Sequence, residues 1–244
     1  RNNRLGFHYF PDTLHYREKD LQTWLPELTA LGAGWVTLVA PSERAIPEQF
    51  LGGLSKEGIQ TILHFQIDIE TPVDRNELEL LFIAYARWDV RYIILYYQPN
   101  SKRRWSTAAW AQADLVERFM DIYLPLAELA LEEGLTPVFP PLEPGGDYWD
   151  LAFLETAFSS LERRGCNNVI EALALGAYAG VGNQPLHWGA GGPGRWPGAR
   201  PYGSAPGVQD HKGFRIFEWY QEVAAEQLGK RLPVILLQVG SQLE

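Results

Sequence analysis

Residues 90–100 read VRYIILYYQPN, an almost unbroken apolar run closed by Gln98-Pro99-Asn100. A strand over Val90–Tyr97 with no polar alternation is one covered on both faces, as in a parallel sheet sheathed by helices. Outward from it, Asp74–Trp88 spaces Leu78, Leu81, Phe82 and Tyr85 along one helical face. Thr107–Glu133 is the longest helical stretch and stops at Gly134. The same strand-then-helix unit recurs in both directions. Further strands are predicted over Leu5–Phe10, Trp35–Ala40, Ile59–Gln66, Leu135–Pro140, Val169–Tyr178 and Pro233–Val239. The intervening helices are predicted around Asp20–Leu31, Pro47–Glu57, Phe153–Arg163 and Phe214–Leu228. Repeated βα units with no polar linker predict an α/β chain forming one domain over 1–244. A (β/α)₈ TIM barrel needs roughly 250 residues. An open dinucleotide-binding sheet fits less well, because no G-x-G-x-x-G turn follows the first strand.

Seven strands are recognisable where such a barrel needs eight. The barrel is then incomplete, irregularly closed, or filled by a neighbouring protomer. Unpaired strand edges invite association, so a homo-oligomer is the expectation.

Composition narrows the function classes. The 244 residues hold 21 Lys and Arg against 30 Asp and Glu, a net charge of −9. A nucleic-acid partner is not expected, since Lys102-Arg103-Arg104 is the one basic cluster. With 46% hydrophobic residues the chain can bury a sizeable core, yet no run approaches the ~20 apolar residues of a membrane span. The single Cys166 rules out an intrachain disulfide and a cysteine-based zinc site. No cofactor motif is found. The chain opens on Arg1-Asn2-Asn3 without a methionine or an apolar leader, which reads as a trimmed start.

In a TIM barrel, ligands meet the residues at the carboxyl ends of strands. Those are His8 and Asp12, Ser42 and Glu43, His64, Gln66 and Asp68, then Tyr97, Gln98 and Asn100, Glu143 and Asp147, Tyr178, and Gln238. His8 and His64 read as pocket hydrogen-bonders rather than as a metal pair, there being no acid at fixed spacing from them. His15, His187 and His211 form no constellation, and Ser42 and Ser241 lack a G-x-S-x-G turn. Asp147 or Asp150, before a helix, reads as a capping residue. The Gly/Pro-rich stretch Asn183–Asp210 carries Trp188, Trp196 and Tyr202, and reads as a packed loop facing ligand rather than a disordered insertion.

Three segments, with the opening of the chain, together resemble a known family. YYQPN (96–100) resembles the N-E-P turn ending strand four of the cellulase-like clan of retaining (β/α)₈ glycoside hydrolases. IEALALGAYAG (170–180) is similar to that clan's sixth strand, D-x-[IL]-x-x-H-x-Y. LPVILLQVGS (232–241) resembles its seventh, P-[IV]-x-x-T-E-x-G, and LGFHYFPD (5–12) its opening. The resemblance implies that the acid/base carboxylate would stand at Gln98 and the nucleophile at Gln238. Tyr97 replaces the clan's Asn, and Gly176 its sixth-strand His. Retaining hydrolysis needs two carboxyl groups about 5 Å apart. A glutamine amide has no titratable proton near neutrality and is a very poor nucleophile, but it keeps hydrogen-bonding groups that suit sugar hydroxyls. A Glu→Gln trapping mutant would account for Gln98 and Gln238 but not for Tyr97 or Gly176.

The resemblance therefore implies a glycosidase-like barrel without catalysis, binding carbohydrate in the former cleft. Tyr97, Tyr178, Trp188 and Trp196 would give flat faces, and His8, His64, Gln98, Asn100 and Gln238 polar contacts. Two rival readings stay open. One is an active hydrolase using a displaced carboxylate, with Glu143, set between Leu142 and Pro144, as the candidate. The other is a structural or interaction domain whose cleft is plugged by Tyr97.

Overall fold

The computed structural model describes residues 3–240. In chain order the elements are β1 (Gly6–His8), α1 (Glu18–Ala30), β2 (Trp35–Val39), α2 (Glu48–Lys56), β3 (Gln60–Phe65), α3 (Arg75–Arg87) and β4 (Tyr92–Leu95). A 3-10 turn (Lys102–Arg104), α4 (Thr107–Trp110), α5 (Leu115–Glu132) and β5 (Thr136–Phe139) follow. The chain continues through α6 (Asp150–Arg163), α7 (Asn167–Ala172), β6 (Ala174–Gly180), α8 (Gly192–Arg195), α9 (Ile216–Leu228) and β7 (Val234–Gly240). The seven strands follow one another in sequence order, parallel in register and separated by helices, which is a TIM-barrel-like α/β fold. By internal contacts the chain divides into two compact units, Arg1–Tyr96 with Pro125–Val138, and Tyr97–Leu124 with Phe139–Glu244.

The first unit holds β1 to β4 and most of β5. Leu63 and Phe65 on β3, and Ile93, Ile94 and Leu95 on β4, are all fully buried. That explains the unbroken apolar runs of these strands: a parallel strand covered on both faces has no polar side to show. α3 starts at Asp74, whose carboxylate accepts from the Asn76 and Glu77 amides at 2.9 and 3.3 Å and so satisfies two open first-turn donors. Its buried Phe82 and Tyr85 lie 5.7 and 6.1 Å from the Phe65 ring. β4 is shorter than the apolar run that encodes it. Asp89 (φ 64°) and Tyr96 (φ 69°) bracket it in left-handed conformation, which an extended ladder cannot accommodate. β1 is the thin strand of this unit, with Gly6 and His8 exposed.

The second unit packs an aromatic core in which Phe119, Tyr123, Phe139, Phe153 and Phe158 are all fully buried. β6 and β7 pair in parallel with one irregularity: Ala177 stands opposite Leu236 and Tyr178 opposite Gln238, leaving Leu237 as the extra residue. Two expected boundaries are corrected here. The helix expected over 107–133 is broken between α4 and α5, where Asp114 is left-handed (φ 58°). Arg118 makes the break tolerable, its guanidinium donating to the carbonyls of Ala109 and Ala113 at 2.7 and 3.1 Å. The strand expected over 169–178 opens instead with α7, closed by Leu173 N–H to the Val169 carbonyl at 2.8 Å, and β6 begins only at Ala174. Glu117 on α5 accepts from Ser160 at 2.9 Å and Arg164 at 2.8 Å, and also from Arg163. Burial raises the pKa of this carboxyl, but those three donors outweigh it and hold the group down at about 2.

Among the described residues no helix is long and apolar enough to cross a membrane.

Candidate functional site

The segment after β4 is where chemistry-bearing groups converge, and strain marks it. Tyr96 (φ 69°) and Gln98 (φ 47°) flank Tyr97 in left-handed conformation, at a cost on the order of 1–2 kcal/mol each for residues with a Cβ. The surroundings fix this turn. Gln98 N–H donates to the Pro141 carbonyl at 3.1 Å, and Ser101 N–H to the Gln98 carbonyl at 3.0 Å. Trp105 Nε1 closes on the Pro99 carbonyl at 2.8 Å. Strain held in place by so many partners is a common companion of ligand sites.

Asn100 is fully buried and ties this turn to the loop after β5. Its Nδ2 donates to the carbonyls of Glu143 and Tyr148 at 2.8 and 3.0 Å, and its Oδ1 accepts from Glu143 N–H at 2.8 Å. Its own carbonyl accepts from Tyr148 N–H at 3.0 Å. With its amide used on the chain itself, Asn100 positions Glu143 rather than offering a free group to a ligand. Gly146 makes room for the clamp, since a Cβ there would stand 2.7 Å from Asn100 Nδ2.

The 3-10 turn carries the groups that matter most. Arg103 Nη2 donates to Glu143 Oε1 at 3.0 Å and reaches Gln98 Oε1 at 3.5 Å, so one guanidinium joins the two positions. Arg104 lies over the Tyr97 ring, 4.3 Å from its centroid. The rings of Tyr97 and Tyr178 meet edge to face at 6.3 Å, and their hydroxyls are hydrogen-bonded. Burial, reinforced by the Tyr97 neighbour, pushes the Tyr178 phenol far above its ordinary range, so the Tyr178 ring stays a neutral polar face. Asp147 Oδ2 accepts from Lys102 N–H at 2.8 Å, and so caps the 3-10 turn from a distant loop. Lys102-Arg103-Arg104 was legible only as a basic cluster; nothing in the sequence marked it as part of the site.

Of the expected site residues, Tyr97, Gln98, Asn100, Glu143 and Tyr178 are brought together in the second unit, and Gln238 stands opposite Tyr178 in the β6–β7 register. Gln98 is 8% exposed, whereas Gln238 is open to solvent. Gly176 is tightly packed: a Cβ there would lie 3.0 Å from the Phe139 carbonyl oxygen and 3.1 Å from Leu237 Cδ1. A larger residue here needs these neighbours to give way, so the packing disfavours the histidine that the resemblance sets at this position. In the first unit, His64 is buried on β3 with Nε2 2.8 Å from the Tyr96 carbonyl, while His8 ends β1 exposed. Ser241 lies outside the described residues. Among the described residues no group of three or more His, Cys, Asp or Glu could hold a metal ion.

The Gly/Pro-rich loop is ordered by specific bonds. Trp188 Nε1 donates to Asp210 at 2.9 Å, Trp196 Nε1 to the Ala190 carbonyl at 2.9 Å, and Trp219 Nε1 on α9 to the Gly189 carbonyl at 2.9 Å. Gly189 is left-handed, and a Cβ there would stand 2.2 Å from the Asp210 carbonyl oxygen. The indole N–H groups of Trp188 and Trp196 are thus used in holding the loop, which leaves only their ring faces to a ligand.

The loop's return is fixed by a buried network that sequence reasoning missed. Asp150, fully buried, accepts from His211 Nε2 at 2.8 Å, the Tyr220 hydroxyl at 2.7 Å and Gly145 N–H at 2.9 Å. Burial opposes its charge, but His211, Tyr220 and the Gly145 amide outweigh that and hold its pKa below the ordinary value. The helix-cap reading of Asp150 is corrected accordingly: no side chain caps α6, and this carboxylate bonds other elements. The sequence signal is slight, an acid after two aromatics and a histidine 61 residues on.

No family model matches the chain, and no curated protein does. Among solved structures it is similar to fructose-bisphosphate aldolase from Plasmodium falciparum, a ternary complex with TRAP and a small-molecule inhibitor. The identity is 10% and the TM-score 0.44, covering 92% of this chain. The chain spans 63% of the length of that aldolase chain. A likeness at this level says nothing about activity.

Proposed function

We propose that this chain is a glycoside-hydrolase-like, TIM-barrel-like protein that binds carbohydrate at the segments after β4, β5 and β6 and does not hydrolyse it. The observation that carries the reading is the shared guanidinium. Arg103 lies between the Gln98 amide and the Glu143 carboxylate, 3.5 and 3.0 Å from them. A carboxylic acid in place of Gln98 would face that cation, which favours the anion and opposes proton donation. The amide suits its surroundings, and the surroundings do not suit a general acid. Gly176 supports the same reading, because the packing leaves little room for the histidine of an active relative. The Tyr97–Tyr178 pair supplies aromatic faces with hydroxyls, a surface that sugar rings stack against. Glu143 is engaged with Arg103, so the displaced-acid hydrolase is the weaker rival.

Incubation with aryl glycosides and with neutral and acidic oligosaccharides, followed by ligand-observed NMR, tests the proposal. Saturation transfer to an oligosaccharide without cleavage is expected. Turnover that disappears in Glu143→Gln would establish the rival instead.

A further inference from the structure

Within that carbohydrate-binding reading, on which this step rests, the structure also speaks to the charge of the ligand. The chain is acid-rich, and its arginines find carboxylates readily: Arg103, Arg163, Arg164, Arg215 and Arg231 are each ion-paired. Arg104 is the exception at the site. It is exposed, lies 4.3 Å over the Tyr97 ring, and has no hydrogen-bond or ion-pair partner for its guanidinium among the described residues. Its neighbour Arg103 is neutralised by Glu143 at 3.0 Å, so the two cations of one turn differ in kind. One holds the site together and the other is left over.

The left-over cation is also oriented. A guanidinium held over a ring by cation–π attraction is restrained in position with its N–H groups unspent, and its fork matches a carboxylate with two parallel hydrogen bonds. The hydrogen-bonded Tyr97 and Tyr178 lie directly beside it. We infer that Arg104 is the anchor for a carboxylate carried on a sugar ring, and that the ligand is an acidic, uronate-type saccharide. One fork balances one charge, which is the charge of one uronate ring. The net charge of −9 repels an anion from the surface at large, so the attraction is local to this turn.

Calorimetric titrations of trigalacturonate, its fully methyl-esterified form and a sulfated neutral trisaccharide into the wild-type chain test this. The acid should bind at least about tenfold more tightly than the ester, the scale of one charge-assisted bidentate pair. Arg104→Gln should remove that preference, so that acid and ester bind alike. Arg104→Lys, which keeps the charge but not the fork, should retain only part of it. Because Arg104 is exposed, the preference should also shrink as salt rises. Equal binding of acid and ester, or a preference that survives Arg104→Gln, overturns the charge assignment while the carbohydrate reading stands. Tighter binding of the sulfated probe overturns the carboxylate assignment in particular. Binding of no saccharide at all overturns the carbohydrate reading and this inference together.

Discussion

Replacing Asp150 by alanine removes the acceptor shared by three donors: the His211 ring, the Tyr220 hydroxyl and the Gly145 amide, at 2.8, 2.7 and 2.9 Å. His211 is 3% exposed and Tyr220 1%, so water reaches the orphaned groups poorly. Each buried donor left open costs about 1–3 kcal/mol. Partial relaxation brings the three together to about 3–5 kcal/mol, the range seen when one partner of a buried pair is deleted. Tyr220→Phe removes one hydrogen bond to a charged acceptor and leaves Asp150 two donors, so about 1.5–3 kcal/mol is expected. Urea unfolding followed by tryptophan fluorescence measures both, and Trp219, 6.0 Å from His211, reports locally. The Asp150 carboxyl is held below its ordinary pKa in the folded state. Its contribution is therefore present above the unfolded value of about 3.9 and is lost as pH falls through the folded value. Wild type and Asp150→Ala should converge in stability in strong acid. An alanine variant within about 1 kcal/mol of wild type at pH 7, or a Tyr220→Phe loss equal to that of Asp150→Ala, refutes the reasoning.

Two further variants probe the supports of the site. Gly146→Ala places a Cβ 2.7 Å from Asn100 Nδ2 and 3.0 Å from the Glu143 carbonyl oxygen, and should cost about 1–3 kcal/mol by thermal denaturation while weakening saccharide binding. Glu117→Gln should cost about 1 kcal/mol at pH 7, given its partial exposure. Because the Glu117 pKa is lowered to about 2, its contribution is present above the unfolded value of about 4.5 and fades towards pH 2. The variant's stability curve should therefore be flatter than wild type between those values.

How much of this was legible in the sequence depends on whether a feature is local. Apolar runs covered on both faces, as at 60–65 and 92–95, declare themselves without alternation, and the glycines ending helices mark the punctuation. The ends of β4 were misplaced because Tyr96 looks like strand and is left-handed, a choice made by its surroundings rather than by tyrosine. α7 was read as strand because Val169 and Ile170 are β-branched, yet they are buried within a helix. Tyr97, Gln98 and Tyr178 were placed by their positions at the carboxyl ends of apolar strands. Arg103 was invisible as a partner of Glu143 because the two lie 40 residues apart, and it takes the Asn100 clamp, with the Gln98–Pro141 and Lys102–Asp147 bonds, to bring that loop to the turn. The Asp150–His211–Tyr220 network spans 70 residues and has no short-range pattern to betray it.

The central claim is that the Tyr97–Tyr178 face binds a saccharide without cleaving it. Its most direct test is calorimetric titration of an oligosaccharide into the wild-type chain and Tyr178→Ala, with reducing ends counted in the cell afterwards. The account predicts one saturable site, an affinity about tenfold or more weaker in Tyr178→Ala from the lost aromatic face, and no new reducing ends. Heat that never saturates, an affinity untouched by Tyr178→Ala, or released sugar would contradict it.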